Sequence, residues 1–158
     1  MAGKNPAMKK IPPGQRHHVP DETGANPPPG PGYLEWFAHF NATEYYEAHD
    51  ALEALWLRTE GRDRDFFKGL IQVAGAFVHL RKHAEHPGHA KHTTRLRPAA
   101  RLFLRAREHL ADFSPRHLQL DVAKVCALCE SLANGIEESD FSANPWSPAK
   151  PPQIGLIA

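Results

Sequence analysis

A chain of 158 residues with 19 Lys and Arg against 18 Asp and Glu has the size of one domain and no overall field that calls for nucleic acid. Its most apolar run, Gly69 to Leu80, is far short of the roughly 20 residues a membrane-spanning helix needs and contains Gln72 and His79. The N-terminus lacks the apolar block of a signal peptide, so a cytoplasmic protein that does not enter membranes is expected.

Residues 1–32 hold 8 of the 15 prolines and too little apolar surface to offset their ordering entropy, which predicts a disordered arm with polyproline character. A short basic patch in it, Lys9 and Lys10 with Arg16, His17 and His18, suits contact with acidic surfaces. A first helix is predicted from Tyr33 to Phe40, with Leu34, Phe37 and Ala38 or Phe40 on one side. Asn41 and Glu44 have the capping-box spacing, with Asn in the place of Ser or Thr. They predict a second helix that reaches about Arg58, with a stripe of Tyr45, Ala48, Leu52 and Leu55. A third runs from Asp63 past His79. It is apolar nearly all round, which places it in the middle of a bundle. Gln72, Gly75, Ala76 and His79 form the exception, a narrow line of small and polar residues that lets a neighbouring helix come close.

The connection over 81–97 is basic, rich in histidine and broken by Pro87 and Gly88. A fourth helix begins near Pro98 and buries Ala99, Leu102, Phe103, Ala106 and Leu110. After a turn over 112–120, Asp121 caps a fifth helix with the stripe Val122, Val125, Cys129, Leu132 and Ile136. Cys126 and Cys129 are the only two cysteines. They are too few for an all-Cys zinc site, and a disulfide within one helical turn is strained, so they read as reduced core residues. Residues 141–158 form an extended tail whose apolar side chains pack back on the bundle. No strand and no repeat is expected. The fold class is therefore all-α: a single bundle of about five helices over 33–140, with a central buried helix.

The chemistry concentrates on helices two and three. At about 100° per residue, His49, Glu53 and Trp56 share one edge of helix two. Glu47 points nearly the other way and complements the positive helix end, and Asp50 leans outward. Helices joined by a short loop are antiparallel neighbours, so this edge is expected to meet Gln72 and His79, with Trp56 as a wall. Buried polar groups need partners, and three arrangements satisfy them. The first is a sealed hydrogen-bond network in which Glu53 pairs with His49 and Gln72 bridges. The second is a metal-free pocket for a small ligand. The third is a zinc-like divalent metal site built from His49, Glu53 and His79, with an open position for water and the chemistry of a hydrolase. The spacing matches neither HExxH nor the Glu-x-x-His of di-iron bundles.

The 11 histidines are a further unusual feature, because their charge changes between about pH 5 and 8. His79, His83, His86, His89 and His92 recur every three or four residues. Pro87 and Gly88 place the last three of these in a loop beside Arg81, Lys82, Lys91, Arg95 and Arg97, a basic surface suited to an anion or phosphate.

Phe40-Asn41, the string Tyr46-Glu47-Ala48-His49-Asp50 with Leu52, Glu53 and Trp56, and then Phe67, Gly69-Leu70-Ile71-Gln72, Ala74 and His79 together resemble the bacterial and archaeal domain of unknown function 309. The closing Pro152, Ile154 and Leu156 fit the same family, so the resemblance extends over about 33–157. It implies a small helical bundle and carries no established activity. Relatives turn between helices three and four with a short Gly-Asn, where this chain has the longer, histidine-rich 83–97. The sum of these readings is a binding module with its site at His49, Glu53, Trp56, Gln72 and His79. The metal-dependent hydrolase and an interaction module with a purely structural polar core are the alternatives. A small ligand, a protein partner or a second copy of the chain is the expected partner.

Overall fold

The computed structural model describes residues 30–157. Five helices follow in chain order: α1 (Pro31–Asn41), α2 (Tyr45–Leu57), α3 (Asp63–Glu85), α4 (Leu96–Ala111) and α5 (Val122–Glu138). The fold is all-α, and α3 is its centre: α2 and α4 flank it, α1 packs on α2, and α5 packs on α4. Among the described residues no helix is long and apolar enough to cross a membrane. Of the arm expected to be disordered over 1–32, residues 1–29 lie outside the described residues. Pro31 and Gly32 belong to α1, which starts two residues earlier than the periodicity indicates. Proline suits a first helical turn because its fixed φ is preset and its missing N–H would be unpaired there.

The buried side of α1 differs from the expected one. Tyr33, Trp36, Phe37 and Phe40 are buried, whereas Leu34 is 47% exposed. The aromatic rings win this face because they carry more apolar area and their polar tips find partners. The Tyr33 hydroxyl donates to the Leu118 carbonyl at 3.0 Å, and the Trp36 indole N–H donates to the Leu70 carbonyl at 3.1 Å. Phe40, Tyr45, Phe77 and Phe103 continue the aromatic core from α1 across to α4, with neighbouring ring centroids 5.0–5.2 Å apart.

The predicted capping box is absent. Asn41 is the last residue of α1, and Glu44 precedes α2 without a side-chain cap bond. The Asn41 amide instead clasps the Ile154 backbone, accepting from its N–H at 2.8 Å and donating to its carbonyl at 2.9 Å. A distant segment thus outcompetes the local cap. Nearby, Trp146 donates to the Tyr45 hydroxyl at 2.9 Å and Asn144 to the Leu80 carbonyl at 2.8 Å. Trp146 and Ile154 are each 7% exposed.

The predicted cap of α5 is present: Asp121 accepts from the Lys124 N–H at 3.0 Å. The expectation of no strand is corrected by a short antiparallel pair ahead of it, β1 (Arg116–His117) and β2 (Leu120–Asp121). Two-residue strands are too short to leave an alternating pattern in a sequence. Within α5 both cysteines are free thiols. Burial holds Cys126 above its ordinary pKa and pushes Cys129 up to about 12, so both stay protonated and unreactive at neutral pH.

Candidate functional site

His49 and Glu53 lie one turn apart on α2, both half-buried at the edge of its apolar stripe. Asp50 is exposed, and its carboxylate folds back so that Oδ1 stands 3.2 Å from His49 Nδ1. One donor atom from each of His49, Asp50 and Glu53 lies within 4.8 Å of the other two. Among the described residues this is the group of imidazole and carboxylate donors whose spacing could hold a metal ion. Asp50 is the member the helical wheel misses, because the wheel gives the direction of Cβ and not the reach of the side chain. Its adjacency to His49 is the available signal.

Trp56 stands one turn beyond Glu53 and is half-buried. Two cations of α3 cover it: Arg64 with its guanidinium carbon 4.0 Å from the ring centroid, and Lys68 with its ammonium at 4.5 Å. Each such contact contributes on the order of 0.5–1 kcal/mol at a partly exposed site. These contacts tie the last turn of α2 to the first turns of α3.

Gln72 and His79 turn to the other neighbour, α4. Gln72 is 9% exposed, and its Oε1 accepts from His109 Nδ1 at 2.8 Å. The same nitrogen is 3.1 Å from the Arg105 carbonyl. Both partners are acceptors, so Nδ1 carries the His109 proton. His79 Nδ1 accepts from Arg95 Nη1 at 3.0 Å. The structure therefore gathers His49 and Glu53 with Asp50, and takes Gln72 and His79 into hydrogen bonds with α4 and its first residues. The cause is the line of small residues. A methyl group built on Gly69 would meet Leu110 Cγ at 2.7 Å, and one on Gly75 would meet Leu102 at 3.4 Å. It is α4 that comes close along this line, and the polar residues on it face α4. A separate groove of about 310 Å³ between α5 and the C-terminal segment, lined by Val125, Leu128, Ile154 and Leu156, contains none of these residues.

Burial, reinforced by Arg95 and Arg101, holds the His79 imidazole below its ordinary pKa. The unfolded chain then binds more protons than the folded one, so the His79 contribution is lost as pH falls below about 6.5. In thermal denaturation between pH 7.5 and 5.5, His79→Gln is expected to show a smaller loss of Tm than the wild type. Its amide oxygen still accepts from Arg95 and does not titrate. Parallel curves for the two proteins would refute this assignment.

These features define a class of protein: a small all-α bundle with a donor-rich second helix antiparallel to a central apolar one. Residues 33–89 match the family Domain of unknown function (DUF309), and this part of the chain resembles that family. The match covers α1, α2 and α3, including His49, Asp50, Glu53, Trp56, Gln72 and His79, and stops before Arg95, His109 and the closing Pro152 to Leu156. No curated protein and no solved structure matches the chain.

Proposed function

We propose that this protein is a binding module whose α2 edge captures a divalent cation, zinc by preference, through His49, Asp50 and Glu53. The supporting observation is the donor spacing. Two ligand atoms on one tetrahedral zinc stand about 3.3 Å apart when each bond is about 2.0–2.1 Å, and His49 Nδ1 and Asp50 Oδ1 already stand 3.2 Å apart. Glu53 offers a third ligand atom within 4.8 Å of these two. An imidazole with two carboxylates suits zinc better than magnesium or calcium, which favour all-oxygen sets. Three protein ligands on one partly exposed helix edge leave an outward position for a small anionic ligand or a carboxylate of a partner. The hydrolase reading draws on His79, which Arg95 holds on the α4 side, so the arrangement favours binding over catalysis. Two free thiols fit a reducing compartment, the cytoplasm.

Competition titration of tag-free protein with a zinc chelator tests this. One zinc per chain is expected. Removing even an outer partner of a metal ligand typically costs about 10–100-fold in affinity, so Glu53→Gln is expected to weaken binding by at least about tenfold while leaving Tm nearly unchanged. Replacing His86, His89 and His92 together by Gln is expected to leave the affinity unchanged. No zinc bound by the wild type, or zinc lost only with the three loop histidines, would overturn the proposal.

A further inference from the structure

The junction of α3 and α4 carries a second cluster that the cation site does not use. Arg95, half-buried at the start of α4, donates from Nε to His92 Nδ1 at 2.6 Å and from Nη1 to His79 Nδ1 at 3.0 Å. A guanidinium in such a setting ordinarily faces a carboxylate. Here both acceptors are neutral imidazole nitrogens, and among the described residues no carboxylate lies within 4.0 Å of Arg95. Among the described residues, the charged or titratable groups that act on His79 and His92 besides Arg95 are cationic or able to become so: Arg101 from α4 on His79, and His86, His89 and Lys91 from the connecting loop on His92. The rings of His86 and His92 stack with centroids 4.4 Å apart, and His89 lies 4.9 Å from His92. Desolvation and the Arg95 charge hold both His79 and His92 below their ordinary pKa. The fold thus concentrates positive charge beside two nitrogens that become donors when protonated, and among the described residues no carboxylate pairs with Arg95.

We propose that Arg95, His79 and His92, with Arg101 behind them, form a site for a tetrahedral dianion of the phosphate or sulfate type, and that filling it takes up protons. The unused N–H groups of Arg95 donate to the anion oxygens. Protonation of His79 or His92 at Nδ1 ends its role as an acceptor for Arg95 and gives the anion another charged donor. The anion offsets the Arg95 charge, which together with desolvation disfavours the charged imidazoles, so by linkage it binds more tightly as pH falls. One coupled proton changes the affinity by up to about tenfold per pH unit within the titration range.

Isothermal titration with inorganic sulfate, whose charge is constant between pH 6 and 8, tests the proposal at fixed ionic strength in two buffers of different ionisation enthalpy. Binding at pH 6 is expected, at least about tenfold tighter than at pH 8, with net proton uptake visible as a buffer-dependent heat. Arg95→Gln is expected to abolish it. His92→Gln, at a solvent-accessible loop position, is expected to remain folded, to bind more weakly and to take up less proton. Absence of sulfate binding at pH 6, affinity independent of pH, or His92→Gln behaving as wild type would each overturn the proposal. None of these outcomes bears on zinc at α2.

Discussion

Trp36→Ala is expected to destabilise the protein by about 3–5 kcal/mol, the range for truncating a large buried aromatic side chain. Trp36 is fully buried, stacks on Phe40 at 4.9 Å, and meets the edge of Phe37 at 4.9 Å. Alanine would leave a cavity between α1 and α3, and would strip the Leu70 carbonyl of its indole donor. For a domain of this size the loss corresponds to a fall in Tm on the order of 10–20 °C. Trp36→Phe restores most of the volume without the N–H and should fall between the two. Denaturant unfolding read by circular dichroism measures both. A loss below about 1 kcal/mol for the alanine variant would mean that α1 is not part of the core.

The second large effect is expected at Gly69. Alanine is the better helix former by about 1 kcal/mol, so propensity alone predicts stabilisation. Geometry predicts the reverse. The added methyl would sit 2.7 Å from Leu110 Cγ and 3.3 Å from the Ala106 carbonyl oxygen, and overpacking of this kind costs about 1–3 kcal/mol. Gly75→Ala is the internal control. Its methyl would meet Leu102 Cδ1, the far end of a flexible side chain, at 3.4 Å, so the propensity gain should survive. Opposite signs at these two positions of one helix would locate the closest approach of α3 and α4. Equal effects would contradict it.

These two helices also show what a sequence can and cannot reveal here. The position of α3 at the centre was legible because Phe66, Phe67, Leu70, Val73, Ala74 and Phe77 leave only a narrow line for small and polar residues, and all six are buried. The small-residue line was legible as a close approach. Its partner was not, because Gly75 and Ala76 signal room for a helix without specifying which. The short loop to α2 points Gln72 and His79 toward α2, whereas both face α4. Their true partners, His109 and Arg95, lie outside any local pattern. The same holds for Asn41: its spacing from Glu44 reads as a cap, and only the chain 113 residues later, arriving at Ile154, explains its amide. At the candidate site, His49 and Glu53 came from helical spacing, while Asp50 required knowing how its carboxylate folds back on His49.

The central claim is that α2 alone supplies a cation site. Anomalous diffraction at the zinc absorption edge, from crystals of tag-free protein grown with one equivalent of zinc, tests it by position. A peak within bonding distance of His49, Asp50 and Glu53 is the expected result. A peak only among His86, His89 and His92, or no peak while the three α2 side chains are well ordered, would contradict it.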